Sequence, residues 1–325
     1  MRFLACLAAT SLLATSAAAE TAPKPTQYVI VSFDGAHDNK LWERSLALGE
    51  RTGAKFTYFL SCTFLMSQAQ RHAYQAPHQK KARSNTGFAQ SSEEVRIRLD
   101  HIWKARLAGH EMASHVCGHF DGGDWSEADW EKEFRTFDET LLSAWKENGV
   151  GDKEPEGWAD FVRNDIKGFR APYLSAGKGL WPALRSHGFA YDASSVSKGP
   201  VEPEDAGGIL RYALPRIEEG PQGKRVIAMD YNLYARHSKA REMPEKAAEF
   251  EARTLAAFRK AFDEQYQGSR VPLQLGFHFV EMNKGAYWSA LEKFLDETCG
   301  KPEVACVSYA GHAAAMAGQG SQSSF

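Results

Sequence analysis

The amino-acid sequence predicts an α/β fold, a (β/α) barrel with about seven strands in a single domain. Short apolar runs alternate with amphipathic helical segments about six or seven times along the 325 residues, without an obvious domain break. Polar side chains of the kind used in catalysis follow several of these runs, as they do on the active rim of a barrel. A flat, doubly wound parallel sheet is the alternative.

The predicted strands are short runs rich in β-branched and aromatic residues. They cover residues 28–33, 55–60, 168–173, 189–192, 225–229, 273–277 and 305–308, and the stretch 109–119 begins as a further short strand and continues as a loop. The predicted helices show apolar periodicity or begin at capping residues, such as the Ser91–Glu94 capping box and the cap at Ser126. They cover residues 41–51, 91–108, 126–148, 178–187, 245–266 and 287–298. The stretch 61–91 is a long polar loop with several basic residues, and loops of this length are usually functional or mobile.

Both ends of the chain lie outside the predicted barrel. Residues 1–19 have a basic start, an apolar run and a small-residue end, which together are typical of a secretory signal peptide. Residues 20–26 form a loose, proline-containing lead-in, the barrel covers 27–315, and the tail 316–325 has a disordered composition. We therefore expect an exported protein, periplasmic or secreted after cleavage near Ala19, without a membrane span.

Charge and cysteine content narrow the class of protein. The formal net charge of −2 gives no support to binding nucleic acid or an anionic membrane surface. Four cysteines lie beyond the signal peptide, and an even number in an exported chain predicts disulfides. Cys299 and Cys306 flank a short turn and can pair, which would leave Cys62 with Cys117. Four cysteines allow three pairings, and the competing reading makes Cys117 a metal ligand or a free thiol.

The stretch from Gly109 to His119 is the strongest candidate for chemistry. It holds three histidines, and His115 and His119 are four residues apart, a spacing that can direct two imidazoles at one metal ion. Two imidazoles and a carboxylate would form a divalent metal site suited to hydrolysis of an amide or ester. The other polar residues at strand ends, which a barrel would bring to the same rim, are Asp34, Arg170, Asp192, Asp230 and His278.

Several common catalytic motifs are missing from the sequence. It contains no Gly-x-Gly-x-x-Gly, no phosphate-binding loop that ends in Gly-Lys-Ser/Thr, and no Gly-x-Ser-x-Gly elbow. The zinc-protease helix motif also fails, because His110-Glu111 is followed by Ser114 where that motif needs a second histidine. Dinucleotide enzymes, nucleotide hydrolases and serine hydrolases are therefore disfavoured.

Five short motifs occur in a recognisable order along the chain. They are Ser32-Phe33-Asp34-Gly35, His115-Val116-Cys117-Gly118-His119, Arg170-Ala171-Pro172-Tyr173, Tyr191-Asp192-Ala193-Ser194-Ser195 and Leu275-Gly276-Phe277-His278. With these motifs the chain resembles the polysaccharide deacetylases of the NodB-homology family, carbohydrate esterase family 4. The stretches 109–115 and 170–175 are most similar to animal chitin deacetylases within that family.

The resemblance implies a distorted (β/α) barrel, a divalent metal, usually zinc, and a hydrolase that removes N-acetyl or O-acetyl groups from a glycan. Chitin oligomers, peptidoglycan and exopolysaccharide are all open as substrates, and we expect a monomer. Carried over by motif, His115 and His119 are the metal ligands, Asp34 is the catalytic base, His278 is the catalytic acid, and Arg170 orients the base.

The resemblance also implies the substrate side of the site. Pro172 and Tyr173 would contact the substrate, and the backbone amide of Tyr173 would stabilise the tetrahedral oxyanion. Either Asp192 or Asp230 would tune the pKa of His278, and both remain candidates.

One residue departs from the family pattern. Gly35 stands where the family has its metal-binding aspartate. Either Asp34 takes the metal and another group is the base, or Asp38 (or His37) becomes the third ligand. The third possibility is that catalysis has been lost and the chain is a glycan-binding relative. Of the candidate ligands we expect Asp38 to join the two histidines.

Overall fold

A computed structural model describes residues 24–322 of the chain, with side chains up to residue 318. The predicted signal peptide and residues 323–325 lie outside this range. The described residues form ten strands and nine α-helices. The strands are β1 (Gln27–Gly35), β2 (Thr57–Leu60), β3 (Glu111–Ser114), β4 (Gly168–Phe169), β5 (Tyr191–Ser197), β6 (Glu204–Asp205), β7 (Leu210–Glu219), β8 (Lys224–Ile227), β9 (Leu273–His278) and β10 (Val304–Val307). The helices are α1 (Asn39–Thr52), α2 (Ser92–Leu107), α3 (Glu127–Glu147), α4 (Trp158–Asn164), α5 (Leu180–His187), α6 (Asp230–Ser238), α7 (Ala247–Gln267), α8 (Ala286–Thr298) and α9 (Tyr309–Gln322).

The strands form one curled, largely parallel sheet in which β1 is central. The order along the sheet is β10-β1-β2-β3-β4-β5-β7-β6, and only the pairings of β7 with β6 and β8 are antiparallel. Residues 32–34 of β1 pair with β2 and β9 at once, so those two strands lie on opposite edges of β1. Ala228 donates to the Pro215 carbonyl of β7 (2.9 Å) and accepts from the Gly276 amide of β9 (2.9 Å). The predicted distorted barrel is therefore confirmed, with the ring running through β1, β2, β3, β4, β5, β7 and β9.

Strand β1 shows how the sequence aims polar groups into the barrel. Side chains alternate along a strand, so Phe33 lies on the opposite face from Ser32 and Asp34. Phe33 is buried outside the barrel, where its ring stacks on Trp288 of α8 at 4.8 Å and on Tyr58 of β2 at 5.5 Å. Aromatic packing against the helix layer therefore fixes the face of β1 that presents Asp34 to the interior.

The interior of the barrel is filled by aromatic and aliphatic side chains. Tyr309, the first residue of α9, is buried among them, in a cluster with Phe59, Tyr191 and Tyr212. Helix α9 extends from Tyr309 to Gln322 and so overlaps the stretch 316–325, for which the composition predicts a disordered tail. The alanine-rich composition that looked featureless in the sequence favours a helix once Tyr309 anchors its start.

Three further elements differ from the prediction. Strand β7, ten residues long, was not expected because Pro215 interrupts its pattern, and α4 and α6 occupy stretches that were not predicted to be helical. Both predicted disulfides are present: Cys62 with Cys117 and Cys299 with Cys306. Among the described residues, no helix is long and apolar enough to cross a membrane.

Candidate active site

A cavity of about 200 Å³ opens where β1, β3 and β9 end. The predicted residues Asp34, His115, His119 and His278 all line it. The remaining lining residues are Gly35, His37, Phe64, Thr86, Phe279 and Val280. The motifs that are far apart in sequence therefore meet at one rim of the barrel, as the parallel topology requires.

Asp34 is held by a fully buried arginine. Arg170 Nη1 donates to Asp34 Oδ1 at 2.7 Å, and the two side chains are 0% and 5% exposed. Burial raises the pKa of the Asp34 carboxyl, but the charge and hydrogen bond of Arg170, together with the charge of protonated His278, outweigh it and hold that pKa below its usual value. Asp34 is therefore an ionised carboxylate whose Oδ2 is left to face the cavity.

The guanidinium of Arg170 is oriented by groups from distant parts of the chain. Its Nε donates to the Ala193 carbonyl (3.0 Å), its Nη1 to Ser32 Oγ (2.8 Å), and its Nη2 to the hydroxyl of Tyr309 (2.9 Å). Arg170 Cζ lies 4.3 Å from the ring centre of Phe59. Each side of this buried cation is satisfied, so Arg170 can hold the Asp34 carboxylate in one orientation.

The two predicted metal ligands lie side by side. The rings of His115 and His119 are 5.0 Å apart, centre to centre. Burial lowers the pKa of His115 to about 3 and also lowers that of His119, so both imidazoles are neutral near pH 7. His115 Nδ1 donates to the Arg170 carbonyl at 2.7 Å, which leaves the lone pair on Nε2. These are the protonation and tautomer states that a metal-binding imidazole needs.

The loop that carries these histidines is strained and heavily braced. Val116 and His119 have positive φ angles of 50° and 53°, a region that non-glycine residues rarely adopt. The Cys62–Cys117 disulfide ties the loop to the end of β2, and Thr63 Oγ1 donates to the Cys117 carbonyl at 3.0 Å. The disulfide thus serves the histidine loop, as its predicted pairing suggested.

A buried tyrosine–glutamate pair supports the same loop from behind. The Tyr74 hydroxyl accepts from the Gly118 amide (2.9 Å) and donates to Glu133 of α3 (3.1 Å), whose carboxylate also accepts from the Cys117 amide. Burial raises the pKa of Glu133 to about 7. Neither residue was predicted to belong to the site, because 59 residues separate them and no local pattern links them.

Asp38, the expected third metal ligand, does not lie in the cavity with the two histidines. Asp38 is the N-cap of α1, where its Oδ1 accepts from the amides of Lys40 (2.8 Å) and Leu41 (3.0 Å), and it does not line the cavity. Its preference for capping a helix end explains why it does not reach the histidines. His37 does line the cavity, with its ring stacked on Phe64 at 4.8 Å. Among the described residues, no three His, Cys, Asp or Glu side chains are grouped so that they could hold a metal ion.

His278 lies beside Asp34, as its register partner on the neighbouring strand β9, and has a partner of its own. Its Nδ1 donates to Asp230 Oδ1 at 2.7 Å, and its backbone amide donates to Asp230 Oδ2 at 2.9 Å. Burial lowers the pKa of His278, but the Asp230 carboxylate outweighs it and raises that pKa to about 8. Of the two aspartates left open by the sequence, Asp230 is therefore the one that tunes His278.

Asp192 has a different task. Its carboxylate accepts from the hydroxyl of Ser194, and Ser194 Oγ accepts from the Ala171 amide at 2.7 Å. Burial raises the pKa of Asp192 to about 6. The pair fixes the start of the turn that continues from Arg170 into Pro172 and Tyr173.

That turn presents an exposed tyrosine beside the metal-ligand candidates. Pro172 is buried and shapes the turn from within, so it is not a surface that touches substrate. Tyr173 has φ 57°, is 58% exposed, and its ring lies 4.7 Å from that of His119. Within the described part of the chain its backbone amide donates no hydrogen bond, so the amide is available to an oxyanion.

Comparison with known proteins agrees with this architecture. No protein-family model matches the chain, and no curated protein matches it either. Among solved structures, a Mycobacterium smegmatis protein assigned to the polysaccharide deacetylases is 17% identical with a TM-score of 0.54, covering 94% of this chain and 95% of that one. A chitin deacetylase from Colletotrichum lindemuthianum is 14% identical with a TM-score of 0.46, covering 84% of this chain and 81% of that one. A family 4 carbohydrate esterase from Streptomyces lividans is 13% identical with a TM-score of 0.42, covering 87% and 92%.

Because these identities are low, the likeness concerns the fold alone, and it is carried by the M. smegmatis structure. The overlap spans nearly the whole of both chains, so it covers the complete barrel and the rim that holds the cavity. The chain has the distorted (β/α) barrel fold of a polysaccharide deacetylase.

Proposed function

We propose that this chain is a hydrolase that removes N-acetyl or O-acetyl groups from a glycan, such as chitin oligomers, peptidoglycan or exopolysaccharide. The observation that carries the proposal is a pair of opposite charges side by side in one cavity. Asp34 is kept ionised by Arg170, and His278 is kept protonated by Asp230. A base and an acid whose environments push their pKa values apart are the two groups that hydrolysis of an acetyl amide requires.

Asp34 acts first, as the general base. Arg170 occupies Oδ1 and fixes the plane of the carboxylate, so Oδ2 accepts a proton from the attacking water. The water oxygen bonds to the acetyl carbonyl carbon, and the carbonyl oxygen becomes an oxyanion. The Tyr173 amide donates to that oxyanion from the turn that Pro172 and Ser194 hold in place.

His278 completes the reaction as the general acid. Its Nδ1–H is committed to Asp230, so the proton that leaves comes from Nε2. When the carbon–nitrogen or carbon–oxygen bond breaks, that proton goes to the leaving amine or hydroxyl of the sugar. The products are acetate and a deacetylated glycan, and the proton on Asp34 returns to His278 or to solvent.

His115 and His119 would hold a divalent metal, and the resemblance implies zinc. Their neutral state and the free Nε2 of His115 fit a metal, whereas the third carboxylate ligand is missing at Gly35. A bound divalent metal would lower the pKa of a water and polarise the acetyl carbonyl.

A second function is favoured by the same glycine. If the missing ligand prevents turnover, the chain is a glycan-binding relative that keeps the cleft and its exposed Tyr173 but releases no acetate. Under either function we propose export and a monomeric state. The two disulfides support export, because disulfides persist in oxidising compartments.

The test combines metal content with acetate release from chitin oligomers, peptidoglycan and an O-acetylated polysaccharide. The enzyme reading predicts bound metal and acetate release, both lost in His115→Ala. His72→Ala is the matched control, because His72 is exposed and lies outside the cavity. Glycan binding without metal or acetate would favour the second function, and metal and turnover retained in His115→Ala would refute the site.

A further inference from the structure

The connection from β2 to α2 carries an unusual concentration of charge. We call residues 66–91 the basic loop, because it contains Arg71, Lys80, Lys81 and Arg83 and no Asp or Glu. All four side chains are exposed. The chain as a whole has a formal net charge of −2, so the excess of four positive charges is a local property of this loop.

These cations are not used to hold the protein together. Among the described residues, none of the four forms an ion pair, whereas exposed arginines elsewhere do, as Arg259 does with Glu297. The carboxylates that touch the loop contact other residues of it: Asp129 contacts His78 at 3.1 Å, Glu133 accepts from Tyr74, and Glu94 accepts from the Gln90 amide. The four positive charges therefore remain available to a ligand.

The basic loop forms one wall of the entrance to the cavity. Thr86 lines the cavity, and Asn85 Nδ2 donates to the His119 carbonyl (2.9 Å) and to the Tyr173 hydroxyl (3.3 Å). The backbone amide of Asn85 donates to the Gly118 carbonyl at 2.8 Å. Arg83 is two residues away, so its Cα lies within about 7.6 Å of that of Asn85. This is less than the distance of roughly 8–10 Å over which exposed charges act in physiological salt.

The cavity itself does not repel an anion. Asp34 is its only carboxylate, and Arg170 neutralises it. Four of the lining side chains are histidines. An anionic group next to a scissile acetyl group would thus meet positive charge at the entrance and no unpaired negative charge inside.

We propose that the basic loop selects glycans that carry carboxylate groups beside the acetylated sugar, as in fragments built with N-acetylmuramic acid. Neutral chitin oligomers would be poorer ligands. The proposal rests on the proposed function for the acetyl chemistry, but not for recognition of the anion. Electrostatic attraction of this kind lowers KM and depends on salt, and it leaves kcat unchanged.

The experiment compares a peptidoglycan fragment containing N-acetylmuramic acid with a chitin oligomer of equal length. At low salt we expect the KM of the carboxylate-bearing fragment to be about tenfold lower, and the difference to shrink as salt is raised. Arg83→Glu should raise that KM about tenfold, with kcat and the chitin KM unchanged. Lys301→Glu is the control: it changes the charge equally but follows α8 and precedes β10, at the opposite end of the strands from the cavity.

Calorimetric binding of the same two glycans separates this inference from the proposed function. If no acetate is released, weaker binding of the carboxylate-bearing fragment in Arg83→Glu, but not in Lys301→Glu, still supports the role of the loop. Equal affinity of wild type for the two glycans, or equal losses in both variants, would overturn it whether or not the chain is an enzyme.

Discussion

Residue 35 is where the chemistry of this chain departs from the family that it resembles. Gly35 has φ 86°, and a Cβ added there would meet only Phe64 Cε2, at an ordinary contact distance of 3.6 Å. Space for a side chain is therefore present, and the cost of adding one is backbone strain of about 1–2 kcal/mol. The sequence showed the missing ligand, but only the structure shows that the position still faces the two histidines' cavity.

We therefore expect Gly35→Asp to bind zinc at least about tenfold more tightly than wild type, because it adds a carboxylate beside two neutral imidazoles. Gly35→Ala is the matched control, since it carries the same backbone strain without a donor. Zinc titration by calorimetry compares the three proteins. Equal affinity in all three would show that His115 and His119 do not form a metal site that position 35 can complete.

The raised pKa of His278 makes a second prediction at the residue scale. With a pKa of about 8, His278 is protonated at pH 7, and activity should fall as the pH rises through 8 and the acid is lost. In Asp230→Asn the carboxylate that raises this pKa is gone while burial, which lowers it, remains. The basic limb of the kcat/KM profile should move down by about 1.5 pH units or more, since 6.5 is the ordinary value.

Asp192→Asn is the control for that profile. Asp192 is also buried, but it contacts Ser194 and not His278. The basic limb of the kcat/KM profile of Asp192→Asn should stay near that of wild type. A profile that shifts equally in both variants would mean that Asp230 does not set the pKa of the acid.

At the scale of elements, the histidine loop is built by partners that the motif does not contain. Its two ligand candidates are predicted from the family motif and its four-residue spacing, but its supports come from the turn after β2, the basic loop and α3. Cys62 was predictable because cysteines in exported chains pair. Tyr74 and Glu133 were not, because an isolated tyrosine and glutamate carry no signal of a contact 59 residues apart.

Loss of this support should affect both folding and catalysis. In Tyr74→Phe the Gly118 amide and Glu133 lose their common partner, which should cost about 1–3 kcal/mol of unfolding free energy and lower kcat about tenfold or more. Urea unfolding and acetate-release kinetics measure the two effects. Tyr266→Phe is the control, because its hydroxyl bonds only to the Pro302 carbonyl near the surface. An unchanged kcat in Tyr74→Phe would show that the loop needs no such support.

At the scale of the whole molecule, the last helix, α9, places Tyr309 inside the barrel, where its hydroxyl contacts Arg170 of the site. The sequence predicted the alternation of strands and helices, and with it the barrel, because periodicity is local. It missed β7, where Pro215 breaks the strand pattern yet lies in the ladder as an acceptor from Ala228, and it missed α9. Both depend on contacts across the barrel, such as that of Tyr309 with Arg170, 139 residues away.

Tyr309→Phe should therefore weaken the support of Arg170 in the site. Arg170 Nη2 and the side chain of Gln274 both lose the Tyr309 hydroxyl, and a buried charged donor left without a partner costs about 1–3 kcal/mol. We expect that loss in the free energy of unfolding, together with a lower kcat, because Arg170 orients Asp34. A variant as stable and as active as wild type would mean that α9 contributes nothing to the site.

The most direct test of Asp34 as the general base is the rate of acetate release by wild type and by Asp34→Asn, measured with the same N-acetylated and O-acetylated glycans. Asparagine keeps the size of the side chain but cannot accept the proton of the attacking water. We expect steady release of acetate by wild type and a loss of at least about a hundredfold in the variant. No release by wild type from any of these glycans, or equal release by both proteins, would contradict it.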